Sequence, residues 1–228
     1  MPFYIYSPKC YIFIEDYAQD NTKVKNQELT FGLSWDVTNG KNIDLDASVI
    51  CLDTNRNQVD LISFKKLTSN DHGIRHGGDE MEGDEEGDDE KIFVNLARVN
   101  KSIKYIAFVI NSYSGQELDD VSKTSCHLFE SATKVDLARY QLSNNHAVDG
   151  YTGLVVACLY RDDNDESEWC MRIISEPAHG RYASDLVDEV QRFILKNPSC
   201  PPTSPPPDVD IVLNEMPEEV EIEFEPMT

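Results

Sequence analysis

The run YIAFVI at residues 105–110, read out as Tyr105-Ile106-Ala107-Phe108-Val109-Ile110, decides the fold. It is too short for a globular helix, rich in β-branched and aromatic side chains, and apolar at both odd and even positions. That pattern belongs to a strand covered on both faces. Working outward, eight more segments of the same kind recur: 29–35, 47–52, 59–64, 91–96, 126–130, 137–142, 152–160 and 168–174. Clusters of Asn, Asp, Gly and Ser bound each one, which is the punctuation of antiparallel strands joined by turns. The stretch around Phe93, Val94 and Leu96 reads, like 105–110, as a central strand buried on both faces. Together these segments predict a mainly all-β chain folded as a two-layer antiparallel β-sandwich.

One segment has helical spacing. Tyr182, Leu186, Val190, Phe193 and Ile194 recur at three- and four-residue intervals, with Ser184 placed to cap the start and Pro198 to stop the helix. A single C-terminal helix packed on the sandwich is the expectation. Beyond Asn197 the composition changes to PSCPPTSPPP and then to an acidic run ending in EVEIEFEPMT. Such a segment buries too little apolar surface to offset its ordering entropy. The chain therefore divides into a sandwich domain at 1–197 and a disordered Pro-rich and acidic tail at 198–228. Within the tail, Val209–Leu213 and Val220–Phe224 set apolar residues among acids, the composition of peptides that add to another protein's sheet edge.

The 42 acidic against 20 basic side chains leave a formal charge of -22, which repels nucleic-acid phosphates and anionic membrane surfaces and attracts cations. Nucleic acid is excluded as a partner on that ground. No apolar stretch approaches the roughly 20 residues of a membrane helix, and the N-terminus lacks the basic flank of a secretory signal. A cytoplasmic protein is expected. Six cysteines are scattered with no C-x-x-C pair; Cys51, Cys126 and Cys158 lie in apolar strands and read as small core hydrophobes.

The chemistry lies in residues 79–90, DEMEGDEEGDDE, where nine of twelve side chains are carboxylates and none is basic. An acidic run is ordinarily a solvated loop. Here the run follows Gly77-Gly78 and leads directly into a strand, while Asp44 and Asp46 stand at the entrance to another. Residues two apart on a strand share a face, so these two carboxylates point together. Calcium suits such a set, because it takes six to eight oxygens in flexible geometry and the interspersed glycines let the chain wrap it.

The segments DLDASVICLD (44–53) and HGGDEMEGDEEGDDEKIFVNL (76–96), with SWD (34–36), VNKSIKYIAFVINSY (99–113) and ARYQL (138–142), resemble the TerD family in order and spacing. The resemblance spans roughly residues 29–195. It implies a β-sandwich that binds calcium through the two acidic motifs and a bacterial role in tolerance to tellurite and other stresses. On this resemblance the metal ligands are Asp44 and Asp46 from the first motif and Asp79, Asp88, Asp89 and Glu90 from the second, with Asp36 a weaker candidate. His76 falls beside Asp79 in a position to support the site. Two stretches depart from the family pattern: Glu117–Val121 and the opening residues 1–16.

Other sites are thinner. Asp53, Asn55 and Asn57 mimic the start of an EF-hand loop, yet Gln58 and Phe64 stand where that loop needs Gly and Glu, so a hairpin turn is expected. Asp162–Asp165 also reads as a turn. His127, within an apolar strand, reads as a core histidine. There is no G-x-S-x-G elbow and no P-loop. The expected function is a non-enzymatic calcium-binding interaction module with protein partners; a metal-dependent hydrolase using the same acidic site is the alternative.

Overall fold

A computed structural model describes residues 22–38, 40, 42–81 and 87–196; the proposed tail and the opening residues lie outside this set. The described residues form eleven strands: β1 (Thr22–Lys23), β2 (Glu28–Ser34), β3 (Leu45–Leu52), β4 (Gln58–Ile62), β5 (Ile74–His76), β6 (Glu90–Asn95), β7 (Tyr105–Ser112), β8 (Ser125–Glu130), β9 (Asp136–Gln141), β10 (Gly153–Arg161) and β11 (Trp169–Ala178). They form a six-stranded sheet in the order β1-β11-β10-β7-β3-β4 and a five-stranded sheet in the order β5-β6-β2-β8-β9. All pairings are antiparallel. All nine segments expected as strands are strands; β1 and β5, two and three residues long, carry too little pattern to be read.

The sheets close on a shared apolar layer containing Trp35, Trp169, Phe31 and Phe108. Phe31 of β2 stacks on Phe108 of β7 across the sandwich, with ring centroids 5.1 Å apart. A second apolar layer lies on the outer face of the six-stranded sheet. There Ile50, Leu52, Ala107, Val109 and Val155 meet Leu186, Val190, Phe193 and Ile194 from a 3-10 turn (Ala183–Leu186) and the helix α1 (Val187–Lys196) that follows it. Burying each of the Val, Leu, Ile and Phe side chains contributes roughly 1.5–3 kcal/mol. This double cover is why β3, β7 and β10 are buried along nearly their whole length. Strand β6 differs from the expectation: its burial alternates, and Phe93 points outward under the Arg75 guanidinium, 4.2 Å away. The helical segment also begins differently, since the carboxylate of Asp185, not Ser184, accepts from the backbone N–H groups of Arg181 and Tyr182.

The turns follow their chemistry. Asp53 Oδ1 accepts from the N–H groups of Asn55 and Asn57 and closes the β3–β4 hairpin. Asp162 and Asp165 do the same for the β10–β11 connection. Cys51, Cys126 and Cys158 are buried free thiols. No helix among the described residues is long and apolar enough to cross a membrane.

Candidate metal centre

The site grows out of an unfinished edge. Strand β3 pairs along its whole length with β7, but β4 reaches it only from Val49 to Leu52. The first half of β3 thus presents backbone groups with no neighbouring strand, and buried groups of that kind must find partners. Two buried side chains supply them. Glu90 Oε2, from the start of β6, accepts from the N–H of Ala47 at 2.7 Å, and His76 Nε2, from the end of β5, donates to the Ala47 carbonyl at 3.1 Å. The N–H of Gly78 donates to His76 Nδ1, which leaves the ring proton on Nε2.

Beyond His76 the chain turns across this edge. Gly77 donates to the Lys91 carbonyl at 2.7 Å, and Gly78 has φ +138°, a conformation open to glycine alone. The turn delivers Asp79 beside Asp44 and Asp46, which share the outer face of the six-stranded sheet. One carboxylate oxygen from each of the three lies within 4.8 Å of the others. Asp46 is buried, and its Oδ2 accepts from Asn111 Nδ2 at 2.8 Å. Asp44 Oδ1 is buried without a hydrogen-bond partner.

The electrostatics of this group are unfavourable as it stands. Burial, with the charges of Glu90 and Asp44, pushes the Asp46 carboxyl up to about 7. Burial and the neighbouring Asp79 push Asp44 up as well. Glu90 is raised by burial, in part offset by His76; burial alone would lower His76, but its bond to Glu90 holds it above the usual histidine range. Two like charges 4–5 Å apart repel by about 3–4 kcal/mol at an effective dielectric of ~20 before screening. The donor set is all carboxylate oxygen, the chemistry of a hard divalent cation, and it includes an orphaned buried oxygen. The residues present fit such an ion.

The remaining candidates make contacts of their own. Asp36 is half-exposed and pairs with Lys123 at 2.6 Å. Asp89 Oδ2 accepts from the N–H of Trp35 at 2.8 Å. Asp88 lies over β2 and β8, where His127 Nε2 meets it at 3.0 Å; hydrogen bonds and charge from His127 outweigh burial and hold Asp88 below the usual carboxylate range. Glu90 caps Ala47. Among the described residues, none of these four joins the Asp44, Asp46 and Asp79 group.

His127 is not a core histidine. It stands on the outer face of the five-stranded sheet, and its Nδ1 lies 2.7 Å from Asp136, which Arg139 also holds. A further carboxylate group, Glu117, Asp119 and Asp149, gathers where the β7–β8 and β9–β10 loops meet. Sequence reasoning missed both Asn111 and this group, because strand pairing and loop meeting, not spacing, create them.

A family model described as "TerD domain" matches residues 18–189. The tellurium resistance protein TerZ of Serratia marcescens is 32% identical over 180 residues, covering 74% of this chain and 90% of that protein. The stress response protein SCP2 of Bacillus subtilis (strain 168) is 30% identical over 186 residues, covering 73% and 89%. A solved homologue of telluride resistance protein (TerD), SCO6318 from Streptomyces coelicolor A3(2), superposes with a TM-score of 0.61 at 19% identity, covering 72% of this chain and 97% of that one, a likeness of fold. With the TerD domain model matched over residues 18–189 and a relative 32% identical over 74% of its length, the chain belongs to the TerD family.

Proposed function

We propose that this protein is a calcium-binding interaction module of the stress-response type, acting by binding rather than catalysis. The observation that carries the reading is the meeting of Asp44, Asp46 and Asp79 at the open edge of β3. Three carboxylates supply up to six hard oxygen donors, near the lower end of what calcium takes, with water or backbone carbonyls as the complement. A bound ion would supply two positive charges to a group whose own repulsion opposes it. The protein's part is to hold Asp44, just before β3, and Asp46, within it, on one side and to bring Asp79 to them through the turn at Gly78. Fixing that loop against β3 creates an ordered surface at one end of the sandwich for a protein partner. The names of the relatives, tellurium resistance and stress response, support a role in tolerance to such stress.

The test is calorimetric titration with calcium, paired with thermal melts in chelator and in excess calcium. Ligand present at one hundred times Kd adds about 2.7 kcal/mol of stability. Asp46→Asn and Asp44→Ala should weaken calcium binding by at least about tenfold, while Asp36→Asn should leave it unchanged. An unshifted melt together with no binding heat for the unaltered protein would overturn the proposal.

A further inference from the structure

A second feature on the same sheet face points to a small-molecule site. Between β3, β7, the residues after β4 and the Tyr182–Ser184 segment lies a cleft of about 150 Å³. Its floor includes Ser48 and Asn111, 1% and 0% exposed, and each carries a buried oxygen with no hydrogen-bond partner: Ser48 Oγ and Asn111 Oδ1. The Asn111 amide cannot turn over to relieve this. Its Nδ2 donates both to Asp46 Oδ2 and to the Arg181 carbonyl, each at 2.8 Å, so a flip would set oxygen against two oxygens. Oδ1 is therefore held as a free acceptor. Leaving such a group unmet costs roughly 1–3 kcal/mol.

The rim offers the opposite chemistry. Lys65 Nζ lies 3.8 Å from the centroid of the Tyr182 ring and 5.3 Å from that of Phe64. Among the described residues it has no carboxylate partner, in a chain where acids outnumber bases 42 to 20. Its neighbour Lys66 is paired, with Asp60 and Asn70. The cleft thus joins a floor that needs a hydrogen-bond donor, aromatic walls, the Asp46 carboxylate on the side toward β3, and a rim lysine without a salt-bridge partner among the described residues.

We infer that this cleft binds a small organic acid bearing a hydroxyl or amino group, its donor on Asn111 Oδ1 and Ser48 Oγ and its carboxylate toward Lys65. An inorganic anion without an O–H group, such as sulfate, brings no donor for the floor, a polyol brings no charge for Lys65, and a metal ion is repelled by the lysine. Ordered water satisfies the floor and leaves the rim unanswered. The site uses side chains other than the carboxylate group at Asp44, Asp46 and Asp79, although Asp46 borders both.

The experiment is a titration of the isotopically labelled full chain with 2-hydroxy and 2-amino carboxylates, followed by amide chemical shifts. Matched acids lacking the hydroxyl or amino group, and glycerol, serve as comparators, and Ser48→Ala and Lys65→Met as variants. Saturable shifts at Ser48, Asn111 and Tyr182 are expected with the substituted acids. Affinity should be about tenfold weaker for the comparators and for each variant. Because Lys65 is exposed, its substitution retains a folded readout should Ser48→Ala not fold. No saturable shift with any substituted acid, or an affinity unchanged by Lys65→Met, overturns the inference.

Discussion

The side chains of His76 and Glu90 meet at 3.5 Å, Nε2 to Oε2, with neither exposed to solvent, and between them they take the carbonyl and the N–H of Ala47. Two residues from strands of one sheet thereby stand in for the missing neighbour of a strand in the other. The pair closes the open half of β3 and sets the hinge from which Asp79 is delivered. Glu90, placed among the metal ligands by resemblance, makes this edge-closing contact through Oε2.

Glu90→Ala should accordingly cost about 3–5 kcal/mol in denaturant unfolding, the range for breaking a buried charge pair and stranding its partners. Glu90→Gln keeps an oxygen for the Ala47 N–H and should cost less than half as much. Equal losses for the two would show that the oxygen on Ala47 is not what matters.

Stability of the calcium-free protein should fall as pH rises from about 4 to 7. The Asp46 carboxyl stands at about 7 in the fold against an ordinary value near 4, so the native state holds a proton there that the unfolded chain has released. The raised Glu90 acts in the same sense above its ordinary range. His76, also raised, contributes stability below the ordinary histidine value that is lost as pH climbs through its higher native one. Unfolding midpoints at a series of pH values, in chelator and in calcium, check this; the decline should be much shallower in calcium. A midpoint that rises across the window in chelator contradicts it.

Gly32→Ala should destabilise the domain by about 1–3 kcal/mol through overpacking. A Cβ at Gly32 would lie 2.5 Å from the carboxyl carbon of Asp88, which His127 holds in place. Since Asp88 stands apart from Asp44, Asp46 and Asp79, calcium affinity should change less than about threefold. Calorimetry and unfolding on the same preparation separate the two effects.

Asp71 anchors the turn before β5. Its carboxylate accepts from Ser69 Oγ and from the N–H groups of Gly73 and Asn100, and these bonds outweigh burial and lower its pKa. Asp71→Asn should cost about 1.5–3 kcal/mol at neutral pH. A depressed native pKa contributes stability that is present above the ordinary aspartate value and lost as pH falls through the native one. The difference between the two proteins should therefore shrink below about pH 4, and a constant difference in acid would remove the carboxylate from the explanation.

Much of this protein was legible from residue order. YIAFVI, the eight companion strands, the helical spacing from Tyr182 to Ile194, the Asp53 and Asp162 turns and the pairing of Asp44 with Asp46 are local facts of period and composition. They can be read because a strand alternates every two residues and a turn is set by its own few residues, whatever lies elsewhere. Which acids meet is different in kind. Asp79 reaches Asp46 because β4 stops short and Gly78 turns the chain over the open edge, while Asp88 and Asp89, close by in sequence, are drawn to His127 and to the Trp35 backbone. The free oxygen of Asn111 exists because β7 lies beside β3 and Arg181 crosses above it. Composition could announce a surplus of negative charge; only the pairing of strands distant in the chain could decide which carboxylates share a space small enough to repel one another.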